Sequence, residues 1–139
     1  MKLIDGKTLD RKSIKNNLIV LNLWGTWCKP CLDEIPELNK LSLEFKNDQV
    51  KFLALATDKT VKLNKFLLKK EFNFIHLDNG NKKYFDKGFI KSYPRTLVYD
   101  ESGQLIKKYS GQLTDEKLSE LRVLIKNTLS TKSNKKWNI

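Results

Sequence analysis

Apolar residues along the chain form short unbroken runs, and these runs alternate with longer segments in which apolar residues have helical spacing. The runs at residues 18–24 and 50–56 are almost wholly apolar, which predicts two strands buried on both faces of a sheet. Between them, apolar residues recur every three or four positions and predict a helix over 28–46. The order strand, helix, strand is typical of a right-handed parallel crossover in an α/β sheet.

The rest of the chain continues this alternation without an internal repeat or a second domain. Turn residues and apolar spacing predict a helix over 59–71 capped by Thr57 or Asp58, an edge strand at 74–77, a short helix over 82–87 ending at Gly88, and a hairpin of strands 96–99 and 104–109. Thr114 then precedes a closing helix whose apolar residues should pack on the sheet.

Two cysteines stand at the junction between the first buried strand and its helix. Cys28 and Cys31 are three residues apart, so both sulfurs fall on one helical face if Pro30 lies in the first turn. The unpaired amides of that turn, the helix dipole and the neighbouring Lys29 favour a thiolate at Cys28. Cys28 is therefore the expected nucleophile, an exposed thiolate, and Cys31 the resolving thiol, and such a pair carries two electrons without a cofactor.

Several motifs together resemble the thioredoxin superfamily, in particular its TlpA/ResA-type thiol–disulfide oxidoreductases. They are W-C-K-P-C at 27–31, E-I-P at 34–36, Y-P-R-T-L-V at 93–98 and the stretch from Gly103 to Gly111. The resemblance covers roughly residues 2–127, and its motifs are specific in combination, since a lone C-x-x-C would be a weak signal.

This resemblance implies a single α/β thioredoxin-like domain with a central mixed β-sheet flanked by helices on both faces. We expect that domain to occupy residues 1–129 and a flexible polar tail to occupy residues 130–139. The implied activity is exchange of electrons with protein disulfides through Cys28 and Cys31. The related proteins favour reduction outside the cytoplasm, as in cytochrome c maturation, and an upstream electron donor would then be needed.

Four further residues are expected to take part in the site, three of them by the same resemblance and Trp27 by its position next to Cys28. Tyr93-Pro94 should be a cis peptide opposite the cysteine pair, turning the Tyr93 backbone towards an extended substrate strand. Trp27 would be a partly exposed platform for partners. Glu34 would lie partly buried near the cysteines, where a raised pKa lets it pass protons to and from Cys31.

Two positions depart from related sequences in ways that bear on these roles. Asn22 stands where many thioredoxins carry a buried Asp, so Glu34 would supply the proton chemistry that Asn22 cannot. Arg95 separates Pro94 from Thr96, where Thr usually follows directly, and could add a cation near the rim of the site.

Two other functions remain alternatives at this point. A peroxiredoxin-like peroxidase would require the pattern T-x-x-C, but Gly25 occupies the position of its Thr. A binding module could hold Cu(I) between both thiolates or act as a basic adaptor for acidic surfaces. Two-residue spacing and the lack of a nearby His weaken the copper alternative.

Metal and haem sites are not expected. A zinc site needs four ligands, and the cysteine pair with the single His76 cannot supply them without carboxylates or a second chain. Leu32 follows the second cysteine where attachment of a c-type haem would need His. We therefore predict no metal and no cofactor.

The formal charge of +11, from 27 basic and 16 acidic residues, is unusual for 139 residues. The lysines are scattered along every segment, which is typical of a solvated basic surface, so nucleic-acid binding is not expected. No signal peptide follows Met1-Lys2, and taken literally the chain is cytosolic. The resemblance instead implies an extracytoplasmic location and a membrane tether in the full-length chain, and we expect a monomer.

Overall fold

The computed structural model describes residues 1–85 and 92–137, with side chains up to residue 130. The helices are α1 (Arg11–Ile14), α2 (Lys29–Glu44), α3 (Thr60–Lys69), α4 (Lys82–Phe85) and α5 (Asp115–Trp137), and a short 3-10 helix (Asn79–Asn81) precedes α4. The strands are β1 (Leu18–Trp24), β2 (Val50–Ala56), β3 (Ile75–Leu77), β4 (Arg95–Tyr99) and β5 (Leu105–Ser110). The predicted helix end at Gly88 lies outside the described residues.

The five strands form one mixed sheet in the order β3-β2-β1-β4-β5. β1 pairs in parallel with β2, and β2 with β3, whereas β4 is antiparallel to both β1 and β5. The central position of β1 explains its almost wholly apolar sequence, because it is covered on both faces. The predicted α/β architecture with a mixed sheet is confirmed.

Two apolar layers cover the two faces of this sheet. On one face, Trp24 and Val20 of β1 pack in a cluster with residues of α2, α3 and α5. On the other face, Leu21 and Leu23 pack in a smaller cluster with the N-terminal residues and with Phe85 of α4. Alternate residues of β1 therefore serve opposite layers, as the two-residue repeat of a strand requires.

The structure corrects one predicted helix cap and agrees with another. α3 begins after Lys59, which makes no side-chain cap bond, so neither Thr57 nor Asp58 caps it. α5 is capped by Thr114 as predicted, with the Lys117 amide donating to its hydroxyl at 3.2 Å. That helix continues to Trp137, across most of the segment predicted to be a flexible tail. The division into a domain and a tail stays a prediction.

Four connecting segments meet at one edge of the sheet. β1 and β2 run in parallel, so the segments that follow Trp24 and Ala56 leave the sheet side by side. β4 runs the opposite way and begins there, since Arg95 pairs with Leu23. Ser110 pairs with Arg95, which brings the end of β5 to the same edge. This is the carboxyl edge of the parallel strands, where ligand sites gather in α/β sheets. Among the described residues, no helix is long and apolar enough to cross a membrane.

Candidate active site

Cys28 and Cys31 form a disulfide at the start of α2, with their Cα atoms 5.3 Å apart. Cys28 is the N-cap residue of the helix, and its sulfur accepts a hydrogen bond from the Cys31 amide at 3.3 Å. Pro30 lies in the first turn, where its missing amide costs no intrahelical bond. The helix therefore begins at the redox pair, as the sequence predicts.

The exposure of Cys28 differs from expectation. It was expected as an exposed thiol, yet it is only 4% exposed, and Cys31 is 1% exposed. Both cysteines belong to the apolar cluster on the α2 face of the sheet, against which Tyr93 also packs. Cys28 remains the more accessible of the two sulfur-bearing residues, and a partner must approach it closely to react.

Glu34 is buried three residues beyond Cys31, on the same side of α2. One carboxylate oxygen accepts a hydrogen bond from the Asn22 side-chain amide at 3.0 Å, and the other accepts from the Leu113 backbone amide at 2.9 Å. Burial raises the pKa of Glu34, while these two bonds and the Lys117 cation oppose the rise. The carboxyl is more deeply buried than predicted, at 1% exposure.

One side-chain atom of Asn22, its carbonyl oxygen, has no hydrogen-bond partner in this cluster. Its side-chain nitrogen also lies 3.4 Å from the hydroxyl of Thr96, its partner across β1 and β4. Its side-chain oxygen is buried and has no hydrogen bond. A buried acceptor without a hydrogen bond lowers the stability of the protein, so its presence here calls for an explanation.

The predicted substrate-binding residues lie together at the same edge of the sheet. The Trp27 side chain is exposed, and its ring meets Tyr93 edge-on with centroids 6.0 Å apart. The Tyr93-Pro94 peptide is cis, as the resemblance implied. Arg95, expected as a cation at the rim, is half-buried and bonds through its guanidinium to Ser92.

Trp27 is also held by Thr57, next to Gly25. Its indole N–H donates to the Thr57 hydroxyl at 2.9 Å. A Cβ on Gly25 would overlap the indole, with Cε2 at 2.7 Å, and would lie 2.9 Å from the Thr57 hydroxyl. The absence of a side chain at Gly25 is thus what lets the indole reach Thr57.

We expect Gly25→Ala to expel the indole from this place and to destabilise the protein by about 1–3 kcal/mol, as overpacking usually does. The indole N–H signal of Trp27 in a proton–nitrogen NMR spectrum should then move towards that of a solvated indole. Gly80→Ala is a suitable control, because its Cβ would meet only an Asp78 oxygen at 3.1 Å. An unmoved Trp27 signal in Gly25→Ala would contradict this packing argument.

Asp58 is a residue whose place in the site the sequence did not indicate. Its carboxylate accepts from the backbone amide of Thr26 at 2.8 Å and from the Thr26 hydroxyl at 2.7 Å. The side chain is 3% exposed, and Lys62 lies 3.6 Å from it. Thr26 and Asp58 are separated by 32 residues, so only the parallel pairing of β1 and β2 brings them together.

Among the described residues, no group of three or more His, Cys, Asp or Glu side chains could hold a metal ion. His76 packs edge-on against Phe72, and its Nε2 atom lies 2.8 Å from the Phe72 carbonyl oxygen. Burial lowers the pKa of His76, so its ring stays neutral within this aromatic cluster.

The fold and the disulfide at the start of α2 define a thioredoxin-like thiol–disulfide oxidoreductase. Residues 1–128 match the model of the AhpC/TSA family. The chain is 33% identical over 119 residues to the thiol-disulfide oxidoreductase ResA of Bacillus thuringiensis subsp. konkukian, covering 84% of this chain and 68% of that relative. ResA of Bacillus subtilis is 25% identical over 123 residues, covering 88% and 69% of the two chains.

A solved structure with the same fold is a thiol:disulfide interchange protein of Chlorobium tepidum, with a TM-score of 0.75 at 20% identity over 93% of this chain and 91% of that chain. The chain belongs to the AhpC/TSA family and, by its curated relatives, to the ResA-type thiol–disulfide oxidoreductases. It acts on protein disulfides, and this activity is favoured over the peroxidase and Cu(I)-binding alternatives.

Proposed function

We propose that the protein is a reductase of protein disulfides in which Cys28 attacks, Cys31 resolves and Glu34 moves the proton. The observation that carries this proposal is the position of Cys28 as the N-cap of α2. A sulfur at this place accepts a hydrogen bond from the Cys31 amide and lies at the positive end of the helix dipole. Both interactions favour the thiolate. Cys31 lies one turn deeper and is the less exposed of the two.

The exchange balances with two electrons and two protons. The Cys28 thiolate attacks one sulfur of the substrate disulfide, forming a mixed disulfide and releasing the other sulfur as a thiolate. Cys31 then loses its proton and attacks the Cys28 sulfur, which breaks the mixed disulfide and closes the Cys28–Cys31 bridge. The two released thiolates take up two protons: one is the proton of Cys31, and the other comes from water, to which Cys28 gave its proton when it ionised. A dithiol donor restores the starting state by the reverse sequence.

Glu34 is suited to take the proton of Cys31 because it is a buried carboxyl on the same face of α2 with a raised pKa. Once protonated, it needs an acceptor for its new O–H group. A flip of the Asn22 amide would place the unpaired oxygen of that side chain where its nitrogen now lies, 3.0 Å from Glu34. Asn22 can thus pair with Glu34 in either protonation state.

Trp27 and Tyr93 are proposed to contact the substrate beside Pro94. Their rings meet edge-on at the sheet edge, and Trp27 has 61% of its surface exposed next to a nearly buried Cys28. A large exposed aromatic side chain at such a place offers contact area at a low cost in conformational entropy. A partner that packs on Trp27 would bring its own disulfide close to the Cys28 sulfur.

The cellular setting follows from the TlpA/ResA resemblance and is likewise a proposal. We propose that the protein works outside the cytoplasm as a monomer, with a membrane tether in the full-length chain and a dithiol protein as its upstream electron donor. A role in cytochrome c maturation is one process that would use such a reductase. Cell fractionation with an antibody against this protein tests the compartment, and recovery in the cytoplasm alone would reject it.

A redox titration tests the central proposal. Oxidised protein is equilibrated with mixtures of oxidised and reduced dithiothreitol, and the fraction of free cysteine is measured by alkylation and mass. A reductase should show a midpoint at or below that of a general thioredoxin, about −270 mV. A midpoint near that of a strong oxidant, about −120 mV, would reject the direction of electron flow.

A further inference from the structure

The turn that carries Cys28 is held from outside by the segment between β2 and α3. This turn comprises residues 25–28 and is closed by a hydrogen bond from the Cys28 amide to the Gly25 carbonyl at 3.2 Å. Its two central residues are Thr26 and Trp27. Thr26 bonds to Asp58, and Trp27 bonds to Thr57. Thr57 and Asp58 are consecutive residues of the segment between β2 and α3.

The contact between Asp58 and Thr26 is the stronger of the two. A carboxylate accepts both the backbone amide and the hydroxyl of one residue, at 2.8 and 2.7 Å. Because one of these donors is the main chain itself, the contact restrains the backbone of the turn and not only a side chain. Hydrogen bonds to a charged acceptor are roughly twice as strong as neutral ones, and this carboxylate is almost fully buried.

The segment that carries Asp58 is itself anchored. The Thr57 amide donates to the Trp24 carbonyl at 3.0 Å, which continues the pairing of β1 with β2 by one residue. The Asn79 side-chain amide donates to the Thr57 carbonyl at 2.9 Å. The residue before Asp58 is therefore hydrogen-bonded to β1 and to Asn79. Through Asp58, Thr26 is connected to the end of the sheet.

We propose that Asp58 is a positioning residue for disulfide exchange, holding the turn so that the Cys28 sulfur stays within bonding distance of Cys31. This inference rests on the exchange function proposed above. Closing the bridge requires Cys28 to sit at one place relative to α2, and a loose turn would have to be ordered each time. Losing the contact should therefore disfavour the bridged form relative to the open dithiol.

The test measures the equilibrium between the protein and dithiothreitol in a set of single variants. Asp58→Ala removes both bonds to Thr26, and the equilibrium constant for bridge formation should fall about tenfold, which corresponds to about 30 mV. Asp58→Asn keeps an oxygen for the Thr26 amide and a nitrogen for its hydroxyl but loses the charge, so its constant should fall by less than about threefold. Thr26→Val removes only the hydroxyl bond, so its equilibrium constant should lie between those of Asp58→Ala and Asp58→Asn.

Asp100→Ala is the matched control. Asp100 also accepts from backbone amides and a hydroxyl, in the turn between β4 and β5, away from the disulfide. It should lose thermal stability without any change in the bridging equilibrium, and this separates a positioning role from a general effect on folding. If Asp58→Ala does not fold, Thr26→Val decides, with a fall of about threefold expected.

Two results would overturn the proposal. One is an equilibrium constant within twofold of the wild type in folded Asp58→Ala, or in Thr26→Val where Asp58→Ala does not fold. The other is an equal fall in Asp58→Asn and Asp58→Ala, which would assign the effect to the charge and not to the bonds. Failure of the proposed function would look different, because the wild-type protein itself would then have a midpoint near about −120 mV or would not exchange with dithiothreitol at all.

Discussion

Cys31→Ser should rapidly trap a covalent adduct with a disulfide substrate, and Cys28→Ser should form one far more slowly. Reduced protein is mixed with dithiobis(nitrobenzoate), an aromatic disulfide whose released thiolate is yellow. In Cys31→Ser, the Cys28 thiolate displaces one aromatic thiolate and keeps the other as a mixed disulfide, because nothing resolves it. In the wild type, Cys31 resolves that adduct and releases the second thiolate.

The asymmetry between the two variants should be large. The Cys31 residue is 1% exposed and lacks the N-cap position, so Cys28→Ser should react on the order of 10²-fold more slowly than Cys31→Ser. The adduct is measured by intact mass and the rate by absorbance. Each variant serves as the control for the other, since both retain one thiol on the same helix. A comparable rate in Cys28→Ser would reject this assignment, and a faster rate would reverse the two roles.

Glu34→Gln should lower the rate of exchange near neutral pH by about 10²-fold, the lower end of the range for general acid–base catalysis. Gln fits the site, because one side can accept from Leu113 while the other donates to a flipped Asn22 oxygen. The loss would then come from the missing proton carrier and not from misfolding. In a plot of exchange rate against pH, the change in rate caused by the ionisation of Glu34 should also disappear. An unchanged pH profile would remove Glu34 from the mechanism.

Glu34 also makes the stability of the oxidised protein depend on pH. Its pKa is raised in the folded state, so the folded form holds this proton at pH values where the unfolded chain has released it. Its contribution to stability is therefore fully present below the unfolded pKa and is lost as pH rises through the folded pKa. Denaturant unfolding at about pH 4 and about pH 8 should show this loss in the wild type.

Glu34→Gln should remove that loss, because the side chain carries no charge at either pH. Asp33→Asn is a control on the same helix, since Asp33 is exposed and paired with Lys29 at the surface. Its dependence on pH should resemble that of the wild type. An equal loss of stability in the wild type and in Glu34→Gln would show that another group causes it.

Local patterns in the sequence predicted the elements that carry the site. β1 and β2 match the predicted ranges residue for residue, because a strand buried on both faces leaves an unmistakable apolar run. The start of α2 at the cysteines follows from Pro30 in its first turn. The prediction of the α3 cap was wrong because a polar side chain can bond to more than one partner. Asp58 is a residue type that often caps helices, but here its carboxylate accepts from Thr26 instead.

By itself, the sequence determined that two cysteines stand at the start of a helix after a buried strand, since both facts depend on neighbouring residues. It also indicated that Glu34 shares a face with Cys31. The tertiary structure alone decided what surrounds them, because Asn22, Asp58 and Leu113 reach the site from different strands and loops. Such contacts depend on which strands become neighbours in the sheet, and the spacing of residues within one segment does not encode this.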